Sequence, residues 1–277
     1  MSPPRSLAVS VVVYHPDLDQ LHLTLRSLGD ALRCAVADGA LAQVIVHLID
    51  NGSDDPAVLD RLGDEALGEA TWLARETWRG HGNVGYGRGH NLAIRTSSAD
   101  VHLVLNPDVE LAPDALVEGL RHLADRPATV LVTPQVRDPA GGLQYLCRRY
   151  PSVLMLGIRG FAPPWLRRAC VRRLADYEMR DAIGPDTVTG IPLASGCFML
   201  VRGGALRCVG GFSPDYFLYY EDYDLSLRLR RLGDIAYVPT VRVVHAGGGA
   251  ARKGWRHQRM FLRSGVIFFR THGWKLV

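Results

Sequence analysis

The sequence has 277 residues, of which 47% are hydrophobic and 22% charged, and its formal net charge is +4. This composition excludes a disordered chain and is sufficient for the core of one large α/β domain. It also excludes a membrane-spanning helix, because no apolar run approaches the ~18–20 residues that such a helix requires. The apolar run at 7–14 is too short for a secretory leader, so we expect a cytoplasmic protein.

Strands and helices are predicted to alternate through the first half of the chain. Buried strands are predicted at 7–14, 44–49, 71–77, 101–105 and 130–133. Helices are predicted at 18–36, from Pro56, through 91–96 and from Pro113. This alternation predicts a mostly parallel central sheet flanked by helices, which is a Rossmann-like α/β fold.

The second half is less regular. Residues 148–173 mix arginines with aromatic residues and include two consecutive prolines, so we expect irregular structure there. Regular structure is predicted to resume with a strand at 196–201 and a helix through Leu225, Leu229 and Leu232. Two short strands, 235–238 and 241–244, and a helix from 255 to about 270 complete the pattern.

Cysteine spacing and charge distribution indicate the compartment and the kind of partner to expect for this protein. The five cysteines contain no C-x-x-C pair, which disfavours a zinc site or disulfide framework and favours a reducing compartment. Basic residues are concentrated at 139–175, with seven arginines, and at 235–277, with eight lysines and arginines, and neither segment contains an acid. Such segments indicate either a polyanionic partner or a solvated surface that balances an acidic body.

Polar clusters follow the first, second and fourth predicted strands. Ligands of open α/β sheets bind beyond the carboxyl ends of the strands, so these clusters are expected to share one site. Asp108, behind a rigid proline, suits a divalent ion that bridges two phosphates, although Asn-Pro-Asp is also a common turn. Asp50 and Asn51 suit a nucleobase or ribose, although the same segment also suits a helix-capping turn.

The segment 83–91 is rich in glycine. Glycines allow close approach of a ligand to the backbone, and the N-terminus of the following helix favours phosphate. The segment lacks both the dinucleotide-binding fingerprint and the phosphate-loop motif. Arg88 is therefore either a pyrophosphate contact or an ordinary surface arginine.

Two further features suggest chemistry. Glu221 and Asp222 lie where an aromatic run meets a helix, and either a general base or ordinary N-terminal helix charge explains them. His245 ends a strand, where it either completes a metal site with Asp108 or plays a structural part. The absence of G-x-S-x-G and H-E-x-x-H motifs argues against a serine hydrolase or a zinc protease.

The order and spacing of these segments resemble glycosyltransferase family 2, of the GT-A fold, and its rhamnosyltransferase-like and galactofuranosyltransferase-like members. The resemblance extends from the first strand to about residue 250. The matching segments are 11–14, 50–53, 83–91, 105–108, 195–200, 211–212, 217–225 and His245.

The resemblance implies a donor site with six of the matching positions. These are Tyr14, Asp50 and Asn51 around the nucleoside, and Asn83, Arg88 and Asn91 near the pyrophosphate. Asn106 stands where the family's Asp-x-Asp motif has its first acid, as in rhamnosyltransferase-like relatives. An asparagine there still accepts a hydrogen bond from ribose or binds a metal, with one charge fewer.

The resemblance also implies a metal site and a base. Asp108 takes the place of the last acid of Asp-x-Asp, and His245 is a further ligand for Mg²⁺ or Mn²⁺. Asp222 is the implied catalytic base, and Glu221 either orients the acceptor or is a second candidate. One base without a protein nucleophile suits a single displacement that inverts the anomeric carbon.

From this resemblance we expect an inverting hexosyltransferase of polysaccharide or lipopolysaccharide biosynthesis. The donor is a dTDP- or UDP-sugar, with dTDP-rhamnose favoured, and the acceptor is a cell-surface glycan or glycolipid. We expect no nucleic acid as a partner. We do expect peripheral contact with the cytoplasmic face of the inner membrane. The expected organisation is one catalytic domain at 1–250, with a nucleotide-sugar-binding half (1–135) and an acceptor half (136–250). A basic amphipathic helix at 251–277 follows.

Two other classes of protein remain open. Sugar-1-phosphate nucleotidyltransferases resemble one another in a basic, glycine-rich loop directly after the first strand, where this chain has His15-Pro16-Asp17. A non-catalytic glycan-binding protein would use the basic segments but leaves the acids at strand ends unexplained. Released nucleoside diphosphate identifies the transferase, and released pyrophosphate identifies the nucleotidyltransferase.

Overall fold

The computed structural model describes residues 6–55, 57–247 and 255–277. In these residues ten strands share one sheet, and ten helices surround it. The strands are β1 (Ser6–Val13), β2 (Gln43–Asp50), β3 (Leu73–Trp78), β4 (Val101–Leu105), β5 (Val109–Leu111), β6 (Thr129–Arg137), β7 (Leu143–Gln144), β8 (Val188–Thr189), β9 (Phe198–Arg202) and β10 (Asp234–His245). The helices are α1 (Leu18–Ala37), α2 (Val58–Leu67), α3 (Tyr86–Thr96), α4 (Ala115–Asp125), α5 (Val153–Phe161), α6 (Pro164–Ala169), α7 (Val171–Tyr177), α8 (Gly203–Cys208), α9 (Glu221–Leu229) and α10 (Trp255–His272).

The sheet has the strand order β3-β2-β1-β4-β9-β6-β10-β5. Strands β3, β2, β1 and β4 run parallel, whereas β9 runs antiparallel to both of its neighbours. The α/β class is therefore confirmed, with a mixed sheet. In the register of the parallel strands, Val13 pairs with Asp50 and Val11 with Leu105. The polar segments after β1, β2 and β4 consequently meet at one end of the sheet, beyond the carboxyl ends of these strands.

Both faces of the sheet are buried, which explains the nearly continuous apolar strands. Along β4, Val101, Leu103 and Leu105 belong to the core cluster formed with α1 and α4, whereas Val104 belongs to the cluster formed with α8 and α9. This division follows from the alternation of side chains along a strand. The helices on the two faces hold the strand ends that form the site.

The stretch 148–173 is not irregular, contrary to our expectation. It contains α5 and α6 and the start of α7. Ser152 caps α5 by accepting a hydrogen bond from Met155 N, and Met155 and Ile158 are buried in a third core cluster with α10. Arginines interrupt the helical spacing of the apolar residues, so the sequence pattern does not predict these helices. Their stability comes from tertiary packing.

Other predicted boundaries also need correction. The strands expected at 235–238 and 241–244 are one strand, β10, with a shift of register between Val238 and Arg242. Pro239 lies in this shift, where a residue without an N–H is tolerated. Helix α9 ends at Leu229, before Leu232, and α3 begins at Tyr86, inside the expected loop. The predicted helix start at Pro56 and the start of the predicted segment 251–277 lie outside the described residues.

Candidate active site

The segment after β4 is fixed by backbone contacts on both sides. Asn106 N donates to Cys197 O of the residue just before β9 (2.9 Å), and the Thr24 hydroxyl of α1 donates to Pro107 O (2.9 Å). Ala246 N donates to Asp108 O (3.1 Å). The sheet order, which inserts β9 beside β4, therefore sets the position of Asp108.

Asp108 and His245 are brought together, as the resemblance implies. His245 Nε2 lies 3.4 Å from Asp108 Oδ1, a distance too long for a strong hydrogen bond. Among the described residues, no side chain or backbone group hydrogen-bonds this buried oxygen. Burial acts to raise the pKa of Asp108, but His245 and Asn106 outweigh it and hold the pKa below its ordinary value. The carboxylate is therefore ionised and has an oxygen available for a cation.

Gln144 sets the orientation and tautomer of His245. Its Nε2 donates to the backbone O of His245 (2.9 Å), and its Oε1 lies 3.3 Å from His245 Nδ1. A carbonyl oxygen only accepts hydrogen bonds, so the amide nitrogen must face it and the amide oxygen must face the ring. Nδ1 then carries a proton in either charge state of the ring, and in the neutral form Nε2 turns a lone pair toward Asp108. In that form two acceptors face each other, an arrangement that a cation between them would stabilise.

These residues fit a divalent ion. Carboxylate oxygen and neutral imidazole are accepted ligands for Mn²⁺, and Mg²⁺ retains several waters when few protein ligands are present. A Cβ at position 247 would lie 2.2 Å from Asp108 Oδ2 and 2.9 Å from His245 Nε2, so Gly247 keeps this space open. No cluster of three His, Cys, Asp or Glu side chains suited to a metal occurs in the described ranges. Diphosphate oxygens and water would have to complete the coordination.

Glu221 and Asp222 begin α9, where its N-terminal N–H groups favour negative charge. Asp222 is half-buried, and its Oδ2 accepts a hydrogen bond from Gly196 N (2.9 Å). Burial raises the pKa of Asp222, and the backbone N–H groups of Gly196 and Tyr223 partly oppose that rise. Glu221 is buried, and burial together with the charge of Asp222 raises its pKa to about 8.

The two residues before this pair have an unusual backbone. Tyr219 and Tyr220 have φ of 72° and 67°, a region that residues other than glycine rarely adopt. Such conformations persist where the surrounding structure holds them. Here Ser264 Oγ of α10 donates to Leu218 O (2.8 Å), and the Tyr220 ring packs 5.0 Å from the Phe261 ring. Helix α10 thus holds the turn that presents Asp222.

Tyr86 contacts both the segment that holds Asp222 in place and the segment that carries Asp108. Its hydroxyl lies 2.7 Å from Gly196 O and 2.9 Å from Asn106 Oδ1, and its one proton serves one of them at a time. Burial raises its pKa, and the nearby charges of Glu221, Asp222 and Asp108 raise it further. Our sequence reasoning gave Tyr86 no role; a lone aromatic residue among glycines was the only signal.

Tyr14, Asp50 and Asn83 lie beyond the carboxyl ends of the strands, on the side that is open to solvent. The Tyr14 ring is 55% exposed and covers Gly52, where a Cβ would lie 3.1 Å from the ring. Asp50 Oδ1 accepts hydrogen bonds from Gly52 N (3.0 Å) and Ser53 N (2.7 Å), which forms a local turn and not a helix cap, because α2 has Ala57 at its N-cap. Asn83 is exposed, and its Oδ1 accepts from Gly85 N (3.0 Å). An open aromatic ring beside a buried carboxylate suits a nucleoside.

The other three expected donor residues hydrogen-bond within the protein. Asn91 is buried and both donates to and accepts from the backbone of Phe212 (2.8 and 2.9 Å). Asn51 Nδ2 donates to Gly85 O (3.0 Å), and the Arg88 guanidinium donates to Pro214 O. These side chains hold the glycine-rich segment in place, so their hydrogen-bonding groups face the protein and not the solvent-accessible donor side.

The glycines of this segment allow close packing of protein on protein. A Cβ on Gly85, whose φ is 91°, would lie 2.3 Å from Phe217 O. A Cβ on Gly87 would lie 2.8 Å from Phe212 Cβ, and one on Gly89 would lie 2.9 Å from Val12 Cγ2. Helix α3 therefore approaches both β1 and the segment that leads to Asp222.

Comparisons with known proteins agree with this geometry. No family model matches the chain. The chain is 30% identical over 209 residues to the N-acetylglucosaminyl-diphospho-decaprenol L-rhamnosyltransferase of Mycobacterium tuberculosis, covering 69% of this chain and 66% of the relative. It is also 30% identical over 179 residues to rhamnosyltransferase WbbL of Escherichia coli, covering 59% of this chain and 61% of that relative. The chain thus spans slightly less than two thirds of either relative.

Solved structures share the fold. The structure of GalNAc-T7 with UDP, GalNAc and Mn²⁺ has a TM-score of 0.59 at 16% identity, covering 88% of this chain and 44% of that one. The mannosyltransferase PcManGT of Pyrobaculum calidifontis, in complex with GDP-Man and Mn²⁺, has a TM-score of 0.58 at 18% identity, covering 95% of this chain and 61% of that one.

The chain therefore has the GT-A fold that these solved glycosyltransferases share. Its sequence is similar to those of two rhamnosyltransferases, at 30% identity over 209 and 179 residues. Neither a nucleotidyltransferase nor a non-catalytic glycan-binding protein is favoured by these relatives. In the described part of the chain, no helix combines the length and the apolar character that crossing a membrane requires.

Proposed function

We propose that the chain is an inverting glycosyltransferase that moves rhamnose from dTDP-rhamnose to a hydroxyl of a lipid-linked glycan. One observation carries the proposal. The half-buried carboxylate of Asp222 is joined through Gly196 and Tyr86 to Asn106, two residues before Asp108. A base and a candidate metal ligand therefore lie at the same edge of the sheet. Proton removal from an acceptor and stabilisation of a departing diphosphate require this combination.

In the proposed reaction, Asp222 takes the proton of the acceptor hydroxyl. The acceptor oxygen forms a bond to the anomeric carbon from the face opposite the nucleotide, and the bond from that carbon to the diphosphate oxygen breaks. Nucleoside diphosphate leaves, and the configuration is inverted because the displacement occurs once. A divalent ion held by Asp108 and His245 would supply positive charge for the leaving group.

The pKa shifts support Asp222 as the base. Glu221 has its pKa raised to about 8, so it is largely protonated at neutral pH. The pKa of Asp222 is also raised, but hydrogen bonds from Gly196 N and Tyr223 N stabilise its charged form. The single negative charge of the pair then resides on Asp222, and uncharged Glu221 is able to donate a hydrogen bond to the acceptor.

The donor base and sugar are proposed from the site and its relatives. Tyr14 would stack on the base, and Asp50 would bind the ribose. Asn51, Asn83, Arg88 and Asn91 would support the donor side mainly by shaping the glycine-rich segment. Rhamnose is proposed because two relatives are named rhamnosyltransferases.

A lipid-linked acceptor is proposed because one relative is named for N-acetylglucosaminyl-diphospho-decaprenol. Such an acceptor would require peripheral contact with the cytoplasmic face of a membrane. In the arginine-rich stretch, Arg148 is buried 3.9 Å from Glu178, and Arg149 pairs with Asp181 (2.7 Å). Arg172 and Arg173 are exposed and are the better candidates for an acceptor phosphate.

The Asp222→Asn variant tests this proposal. The substitution keeps the size of the side chain and removes the base, so we expect kcat to fall by ~10²–10⁴. Donor binding should persist, measured as a thermal shift with dTDP, UDP or GDP and their sugars, with and without Mn²⁺. Asp215→Asn, on an exposed acid of the same segment, is the matched control. Near-full release of nucleoside diphosphate by Asp222→Asn would disprove the assignment, and release of pyrophosphate from a nucleoside triphosphate would indicate the nucleotidyltransferase.

A further inference from the structure

The outward face of α10 carries an exposed apolar stripe. Trp255, Leu262 and Val266 are 75%, 52% and 40% exposed. At 100° per residue, these three side chains fall within a narrow arc of the helix surface. The sequence alone did not separate them from the other apolar residues of the helix. We define this stripe, with the arginines beside it, as the α10 outer face.

The arginines of the α10 outer face lie along one flank of the stripe. Arg256, Arg259, Arg263 and Arg270 are all exposed, and their spacing places them together on the same side of the apolar residues. Residues 255–277 contain five lysines and arginines and no aspartate or glutamate. A helix with an apolar face and a basic flank is typical of a helix that lies in a membrane interface.

Core packing does not account for the stripe, because the opposite side of α10 serves the core. Phe268 and Ser264, on that side, are buried, and Tyr220 packs against Phe268 with 5.4 Å between ring centroids. His272 Nε2 lies 2.8 Å from Asp224 Oδ1, which fixes the last turn of α10 to α9. The helix is therefore held in one orientation, with its outer face turned to solvent.

The segment after α10 extends the apolar surface. Val153 N donates to Lys275 O (2.8 Å), and Leu154 N donates to Leu276 O (3.1 Å). These bonds place Leu154 (43% exposed) beside Leu276 (67%), and Trp274 (54%) stacks on Phe269 of α10 with 5.2 Å between ring centroids. Exposed apolar side chains that accompany basic ones fit headgroup phosphates above acyl chains.

We propose that the α10 outer face docks on the surface of an anionic lipid bilayer. Trp255, Leu262 and Val266 would enter the boundary between headgroups and acyl chains, and the arginines would contact lipid phosphates. The inference deepens the proposed function and rests on it in one respect, the presence of an acceptor in a membrane.

The docked helix would bring the bilayer close to the base. Its inner side contacts Leu218, Tyr219 and Tyr220, which directly precede Glu221 and Asp222. The bilayer would therefore lie roughly one helix diameter, about 10–12 Å, from this turn. A sugar linked through diphosphate to a membrane lipid extends from the surface over a comparable distance.

Vesicle co-sedimentation with the full chain tests the proposal. We expect binding to phosphatidylcholine vesicles that contain phosphatidylglycerol, weaker binding at high salt, and little binding to phosphatidylcholine alone. Leu262→Glu should abolish binding, and each of Arg259→Gln and Arg263→Gln should weaken it about 5-fold. Leu23→Glu and Arg26→Gln on α1 are matched controls, because both side chains are exposed on a helix elsewhere.

Three results would overturn the proposal. They are equal binding by wild type and the α10 variants, equal binding to neutral vesicles, and a dimer in light scattering that Leu262→Glu disrupts. The last would make this face an interface between copies. Turnover of a detergent-dispersed acceptor separates this proposal from the proposed function. The α10 variants should retain that turnover, whereas a wild-type protein that binds vesicles but transfers no sugar would disprove only the proposed function.

Discussion

Among single residues, Glu221 couples the stability of the protein to pH. Its pKa is about 8 when folded, against an ordinary value of 4.5, so folding takes up a proton between these limits. The contribution of Glu221 to the free energy of unfolding is then greatest below about pH 4.5 and falls as pH rises toward 8, by up to about 1.4 kcal/mol per pH unit. Denaturant unfolding of wild type and Glu221→Gln from pH 5 to pH 8 measures the difference.

We expect Glu221→Gln to gain stability relative to wild type as the pH rises, because glutamine bears no charge to bury. Subtracting the variant's profile from that of wild type removes contributions from all other titrating groups that the substitution leaves unchanged. A difference that stays flat from pH 5 to pH 8 would mean that Glu221 is ionised in the folded protein.

Gln144 is a second residue whose part follows from its contacts. Because it fixes the tautomer of His245, we expect Gln144→Leu to weaken Mn²⁺ binding by ~10–100-fold, the range for losing a partner of a metal-binding histidine. Titration calorimetry of Mn²⁺ in the presence of dTDP measures this directly, without turnover. Gln144→Glu keeps an acceptor for Nδ1–H and should retain more affinity than Gln144→Leu. Equal affinity in wild type and Gln144→Leu would exclude this role.

Some of these residues could be found from the sequence, and others could not. Asp108 was singled out because it follows an apolar strand, and Asp222 because it lies where an aromatic run meets a helix; both signals are visible in a single sequence. Tyr86 and Gln144 act through partners more than 100 residues away in the chain, at Gly196 and His245. Local patterns carry no information on such pairs.

Among helices and strands, too, those fixed by local sequence could be predicted, whereas those fixed by distant contacts could not. Strands β1, β2 and β4 and helix α1 have regular apolar periods, and they were predicted closely. Helices α5–α7 were missed because arginines break their period, and their stability depends on packing against α10. The reversal of β9 was also missed, since strand direction depends on its neighbours in the sheet.

Helix α3 provides a test of packing between elements. Gly85 has a positive φ, and a Cβ there would overlap Phe217 O, in the segment that leads to Asp222. We expect Gly85→Ala to destabilise the protein by about 2 kcal/mol or more, from backbone strain and the displaced segment. Thermal or denaturant unfolding measures the loss. Gly157→Ala is the matched control, because Gly157 is exposed on α5 and no neighbouring atom lies within 4 Å of its Cβ position, and a small gain is expected. Equal stability of the two variants would contradict the close approach of α3.

For the whole molecule, the order of the sheet predicts how the two proposed halves depend on each other. Strand β9, from the second half, lies between β4 and β6 of the first half, and Phe198, Met199 and Leu200 are fully buried. Residues 1–140 alone would lack this central strand and would leave two long sheet edges unpaired. We therefore expect the fragment 1–140 to show no cooperative thermal unfolding.

The two fragments together should behave differently from either alone. The turn at 138–142 is largely exposed, so a break between Ala140 and Gly141 removes only the few bonds of that turn. Co-expressed fragments 1–140 and 141–277 should form a stable pair with one unfolding transition, observed by circular dichroism and calorimetry. Cooperative unfolding of 1–140 by itself would show that the nucleotide-sugar-binding half folds without β9. In that case the sheet would form when the second half docks onto a first half that is already folded.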